Sequence, residues 1–90
     1  MARLQRTFTI SNTLGLHARA AAQLVQAANR YKCETLVEKD GMDVNGKSIM
    51  GVLTLAAAKG SKIIVSCDGE DAEAAMAVLA AIIEAGFGER

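Results

Sequence analysis

Residues 33–48, CETLVEKDGMDVNGKS, contain the part of the sequence that decides the fold. The composition from Cys33 to Glu38 is typical of a β-strand. Asp40-Gly41 is a pair typical of a two-residue hairpin turn, and Met42 to Val44 predict a short strand after it. The stretch therefore predicts an antiparallel hairpin in the middle of the chain.

The end of this stretch, GMDVNGKS (41–48), also matches G-x-x-x-x-G-K-S, the phosphate-binding loop of many ATPases and GTPases. KIIVSCD (62–68) even resembles the apolar strand ending in Asp that often accompanies such loops. A loop of this kind follows a buried parallel strand and begins a long helix within a larger α/β sheet. Here a charged turn precedes the first glycine, and the short helix predicted after Ser48 contains Gly51. We therefore interpret the match as accidental.

The flanking segments supply two more strands and three helices. Residues 3–10 alternate between apolar and polar, which predicts a strand with Phe8 and Ile10 turned inward. Helical periodicity and turn signals predict helices over residues 18–28, 48–55 and 70–85 and a fourth strand over residues 61–66. The order β-α-β-β-α-β-α predicts an α+β open-faced sandwich, in which a four-stranded, largely antiparallel sheet carries three helices on one face. We expect residues 1–90 to form a single domain.

Composition argues against several classes of function. Ten basic and ten acidic residues give no net charge, and only 3% of residues are aromatic. The chain therefore has no excess of basic side chains to neutralise a phosphate backbone and few aromatic rings to stack on bases, which argues against nucleic-acid binding. No signal peptide is visible and no stretch approaches the ~20 apolar residues of a membrane span, which predicts a cytoplasmic protein. A single His and two separated cysteines predict no metal site. Cys33 and Cys67 are interpreted as reduced structural thiols.

The second glycine-led stretch, LGLHARAAA (14–22), contains His17, the only histidine, where a loop is predicted to become a helix. The free backbone N–H groups of Ala18, Arg19 and Ala20 would carry about half a positive charge there. Arg19 adds a cation able to fork onto phosphate oxygens. His17 could therefore be a phosphoryl acceptor, or it could be a surface histidine that caps the helix. No carboxylate base is expected beside it.

GLHAR (15–19) and NGKSIMGVLTLAA (45–57) together resemble the histidine-containing phosphocarrier family of the bacterial sugar phosphotransferase system, the HPr family. The resemblance covers essentially the whole chain, including AKGSKIIVSCDGEDAEAA (58–75) and the Gly-x-Gly-Glu tail at 86–89. It implies that His17 accepts a phosphoryl group on Nδ1 from the phosphoenolpyruvate-dependent enzyme I and passes it to IIA domains of sugar permeases. It also implies that Arg19 steadies the phosphate and that a dedicated ATP-dependent kinase/phosphorylase modifies Ser48 as a regulatory site.

In this family the helix after Ser48 is partner surface. We expect an interface formed by Leu16, Ala18, Ala22, Ile49, Met50, Gly51 and Leu53. Val52 and Leu55 are predicted to face the core, and each of the other apolar residues of this helix could instead be buried. The partner enzymes would supply the catalytic machinery, so we expect a monomeric carrier that needs no cofactor and is not an independent enzyme.

One position departs from the family pattern, since Ala20 stands where Pro usually follows the Arg. Pro would fix φ in the first helical turn, so its absence predicts a somewhat softer loop. The departure also leaves an alternative open: a regulatory, protein-binding module of a variant phosphorelay, such as a nitrogen-related one, selected by the state of Ser48.

Overall fold

The computed structural model describes residues 3–89, and its elements follow the predicted order. They are β1 (Arg3–Thr9), α1 (Ala18–Ala28), β2 (Glu34–Lys39), β3 (Met42–Asn45), α2 (Ile49–Thr54), β4 (Lys62–Asp68) and α3 (Ala72–Glu84), followed by a 3₁₀ turn at Gly86–Gly88. The predicted domain limits, residues 1 and 90, lie outside the described part of the chain.

The largest differences from the predicted bounds are two residues, at the end of β4 and at the start of α3. This helix begins at Ala72 because Asp71 is its N-cap residue. The Asp71 carboxylate accepts hydrogen bonds from the backbone N–H groups of Lys32 (2.8 Å) and Cys33 (2.9 Å). The bond from Lys32, more than any other interaction, holds the pKa of the Asp71 carboxyl below its usual value. Asp71 thus fixes the entry to β2.

The sheet has the strand order β1-β4-β2-β3, and every pairing is antiparallel. In the hairpin, Lys39 lies opposite Met42, so the turn consists of two residues. These are Asp40 (φ 53°) and Gly41 (φ 85°), and positive φ at both positions is what a type I′ turn requires. Residues 42–45 form an antiparallel strand beside β2, so the GKS match lacks the parallel strand and following long helix that a phosphate-binding loop requires.

The core lies between this sheet and the helices. Phe8 and Ile10 are buried, as predicted from the alternation of β1. The predicted apolar stripe of α1 and the two predicted core residues of the second helix are also buried; these are Ala21, Leu24, Val25, Ala28, Val52 and Leu55. Helix α3 packs on β1, β4 and α1, and α1 packs on α2.

Cys33 and Cys67 are both buried and unbridged, and their thiols are close enough to hydrogen-bond. Burial raises the pKa of the Cys67 thiol to about 11, and Cys33 beside it adds to the effect. The thiol therefore stays protonated at neutral pH. This arrangement fits the interpretation of both residues as reduced structural thiols.

Candidate functional site

The loop that leads into α1 is fastened to the segment that follows α2. The backbone N–H of Leu16 donates to the carbonyl of Ala57 at 2.8 Å, and the Leu16 side chain is buried. Gly15 adopts φ 67°, and a Cβ at this position would lie 2.4 Å from the Ala57 carbonyl oxygen. Only glycine allows the two backbones to approach this closely. The loop therefore delivers His17 to a defined place.

His17 is the N-cap residue of α1, at the position predicted from the sequence. Its backbone is extended and its carbonyl accepts from the N–H of Ala21 at 2.8 Å, but no side chain caps this helix. The first backbone N–H groups of α1, from Ala18 to Ala20, therefore have no partner within the helix. Ala18 and Arg19 are exposed, so a helix start with its positive dipole end faces solvent beside the imidazole.

A carboxylate lies against the imidazole, and the expectation that His17 has none nearby is therefore wrong. Glu89 Oε1 is 2.7 Å from His17 Nε2. The same oxygen accepts from Asn12 Nδ2 at 2.9 Å, and Asn12 Nδ2 also donates to the Gly15 carbonyl at 2.9 Å. Sequence reasoning missed Glu89 because 72 positions separate it from His17, and it missed the role of Asn12 because that role depends on Glu89. The available signal was the Gly-x-Gly-Glu tail, which had no visible partner.

The tail reaches His17 by a tight reversal after α3. Gly86, Phe87 and Gly88 all have positive φ, at 63°, 59° and 75°. Gly86 suits the end of a helix, as predicted, but the same conformation is strained for Phe87 because its side chain is bulky. Two contacts hold it: the ring is buried, and Gln23 Nε2 donates to the Phe87 carbonyl at 2.9 Å.

The charge on Glu89 determines which nitrogen of the His17 imidazole carries the hydrogen. Hydrogen bonds from Asn12 and then from His17, with the nearby charge of Arg19, hold the pKa of the Glu89 carboxyl below its usual value. An ionised carboxylate can only accept hydrogen bonds. In the neutral imidazole Nε2 therefore carries the hydrogen, and Nδ1 keeps its lone pair.

Ser48 is the N-cap residue of α2, as predicted, and its Oγ accepts from the backbone N–H of Gly51 at 3.1 Å. Around it, Ile49 and Met50 are exposed, Met50 with 74% of its surface accessible. Ala22, Gly51 and Leu53 are half-buried. Leu16 is only 4% exposed, so its inclusion in an accessible interface is corrected: it anchors the loop.

Two further features concern residues 3–89 only. No helix in this range is long and apolar enough to cross a membrane. No group of three or more His, Cys, Asp or Glu side chains within it is arranged to hold a metal ion.

Comparisons with known proteins identify the family of this chain. The family model described as the PTS HPr component phosphorylation site matches residues 4–85. The phosphocarrier protein HPr of Xylella fastidiosa (strain Temecula1) is 46% identical over 86 residues, which are 96% of this chain and 97% of that protein. A crystal structure of HPr from Thermoanaerobacter tengcongensis superposes with a TM-score of 0.93 at 42% identity, covering 97% of this chain and 98% of that one. A second structure from that organism, described as an HPr dimer, gives 0.78 at 44% identity over 91% and 94% of the two chains. The chain belongs to the HPr family, the phosphocarrier proteins of the phosphotransferase system.

Proposed function

We propose that His17 Nδ1 accepts a phosphoryl group from enzyme I and donates it to IIA domains of sugar permeases. The observation that supports this most strongly is the contact of Nε2 with Glu89 at an uncapped helix start, which leaves Nδ1 as the free ring nitrogen. Backbone N–H groups at such a start bind anions, and the dipole favours negative charge. Arg19 lies two residues on and adds a guanidinium suited to phosphate oxygens.

In this function the Nδ1 lone pair attacks phosphorus while the bond from phosphorus to the donor group on enzyme I breaks, and its electron pair leaves with that donor. The backbone N–H groups of Ala18, Arg19 and Ala20 then donate hydrogen bonds to the oxygens of the transferred phosphoryl group. The second transfer reverses these steps toward the acceptor. The carrier needs no cofactor, because its partners supply the remaining catalytic groups.

The test is incubation with phosphoenolpyruvate and enzyme I, followed by intact mass measurement. We expect the wild type and Ser48→Ala to gain one acid-labile phosphate, and His17→Ala to gain none. A phosphorylated His17→Ala variant contradicts the proposal. If no variant gains phosphate from enzyme I but an ATP-dependent kinase modifies Ser48, the protein is instead a regulatory binding module.

Ser48 is proposed as the regulatory site. Its hydroxyl lies at a helix start, where the dipole favours a phosphate, and it adjoins the exposed apolar side chains of Ile49 and Met50. A phosphate there would place charge in a surface that docks partners, and would slow transfer without unfolding the protein. We expect Ser48→Asp to accept phosphate from enzyme I more slowly than Ser48→Ala does. Equal rates would exclude this role.

The partner surface proposed for this function contains Ala18, Ala22, Ile49, Met50, Gly51 and Leu53. Met50 is its most exposed member, and methionine adapts to differently shaped partners. A monomeric state, a single domain and a cytoplasmic location belong to the same proposal. Because a related chain is described as a dimer, sedimentation analysis at several concentrations is the direct measurement of the monomeric state.

A further inference from the structure

We propose that Glu89 is a positioning residue for His17: held by Asn12, it fixes the imidazole so that Nε2 carries the hydrogen and Nδ1 faces the start of α1. The inference rests on the proposed function, since it concerns the ring that accepts the phosphoryl group. It assigns a role in the transfer to the C-terminal tail, which the proposed function does not use.

The contact is built from both sides. Glu89 Oε1 receives two hydrogen bonds, from His17 Nε2 at 2.7 Å and from Asn12 Nδ2 at 2.9 Å. Asn12 is itself 1% exposed and is tied to the Gly15 carbonyl, so its amide cannot turn away. A buried amide thus fixes the carboxylate, and the carboxylate fixes the ring. Partners that hold the second nitrogen of a functional histidine set its tautomer and orientation in this way.

The tail has features that an adventitious contact lacks. Phe87 is held in a left-handed conformation that bulky residues avoid, with its ring buried and its carbonyl bonded to Gln23. Strain of this kind persists only where the surroundings over-determine it, and it is concentrated at functional sites. Here its consequence is that Glu89 is directed back over the start of α1.

The charge of Glu89 suits both transfers. When the Nδ1 lone pair forms the bond to phosphorus, the ring keeps its Nε2 hydrogen and becomes positively charged. A carboxylate across the ring offsets that charge. When the nitrogen–phosphorus bond breaks in the second transfer, its electron pair returns to Nδ1. The ring is the leaving group of this transfer, and it becomes neutral again with its Nε2 hydrogen still in place. A neutral side chain at position 89 can accept the hydrogen bond but stabilises the charged ring less than a carboxylate does.

The first test measures the ring directly, without phosphate. One-bond ¹H–¹⁵N spectra of the imidazole ring at pH 8 compare the wild type with Glu89→Leu, Glu89→Gln and the control Glu84→Gln. Glu84 is an exposed carboxylate on α3 that pairs with Arg6 at 3.3 Å. We expect a slowly exchanging Nε2 hydrogen in the wild type and in Glu84→Gln, a weaker signal in Glu89→Gln, and none in Glu89→Leu. An unchanged signal in Glu89→Leu overturns the inference.

The second test measures the rate of phosphoryl transfer from enzyme I for the same proteins. Loss of a charge-assisted hydrogen bond at a part-exposed site predicts a rate about tenfold lower for Glu89→Leu and Glu89→Gln, with Glu84→Gln unchanged. Because Gln keeps an acceptor oxygen, a purely structural role predicts wild-type rates for Glu89→Gln, and that result overturns the inference. Failure of the proposed function is distinguishable, since the wild type itself would then gain no phosphate.

Discussion

The helix starts at His17 and Ser48 have the same backbone arrangement but differ in whether the N-cap side chain bonds its own helix. Both residues are N-caps with extended backbone, and both precede helices packed against one another. Ser48 satisfies its own helix, because its Oγ accepts from Gly51 N–H. His17 caps nothing; its ring is turned to Glu89, and the first turn of α1 is left open.

This difference sets the stability gained from a helix cap against the availability of N–H groups for binding an anion. A helix start with its own N-cap gains the cap hydrogen bond and uses one of the N–H groups that could bind an anion, whereas an open start keeps all of them available. The open start at His17 needs support from elsewhere, which the loop supplies through Gly15 and the tail supplies through Glu89. Local rules are broken in this way mainly where a protein acts.

The largest effect that tests the comparison is expected from glycine replacement at each start. Gly15→Ala would place a Cβ 2.4 Å from a backbone oxygen in a left-handed conformation, so we expect a loss of about 3 kcal/mol of unfolding free energy. Gly51→Ala meets no atom closer than 3.4 Å and lies in a helix, so a gain of about 0.5 kcal/mol is expected. Urea unfolding of both variants measures the difference. Similar values for the two would show that the loop is not fastened as described.

A smaller effect is expected from the caps themselves. Ser48→Ala removes the cap bond to Gly51 and should lower the unfolding free energy by about 1 kcal/mol, whereas Ser48→Asp keeps an acceptor and should not. At the open start a substitution can add a cap instead of removing one. His17→Asn should have an unfolding free energy about 1 kcal/mol higher than His17→Ala, because Asn supplies a cap that the wild type lacks. Equal stability of the two His17 variants would mean that the first turn of α1 is already satisfied.

The fold was predictable because its signals are local. Alternation placed Phe8 and Ile10 in the core, and Asp-Gly specified a two-residue turn whose strands pair in the expected register. The start of α3, which lies two residues after its predicted position, has a nonlocal cause. The Asp71 carboxylate is used by the backbone of Lys32 and Cys33, which no periodicity along α3 can reveal.

The site was predictable only in part, for the same reason. The helix starts at His17 and Ser48 follow from their neighbours in sequence, and the structure has both. The carboxylate beside His17 does not, because it depends on a reversal at Phe87 that sequence patterns disfavour for a bulky residue. The burial of Leu16 is nonlocal as well, because its loop is held by a backbone hydrogen bond to Ala57, which is distant in the sequence.

The smallest expected effect is a difference between the two starts in acid. Because hydrogen bonds from Asn12 and His17 hold the pKa of the Glu89 carboxyl below its usual 4.5, the unfolded chain binds a proton there before the folded chain does. The stabilisation from Glu89 is therefore complete above about pH 4.5 and is lost as pH falls through the lowered folded value. Ser48 and Gly51, which form the other cap, carry no side chain that titrates in this range. We expect the amide signals of residues 18–20 to shift between pH 5 and pH 2 with a midpoint below 4.5, while the Gly51 amide stays in place. A midpoint at or above 4.5, or an equal shift at Gly51, would show that the Glu89 contact does not distinguish the two helix starts.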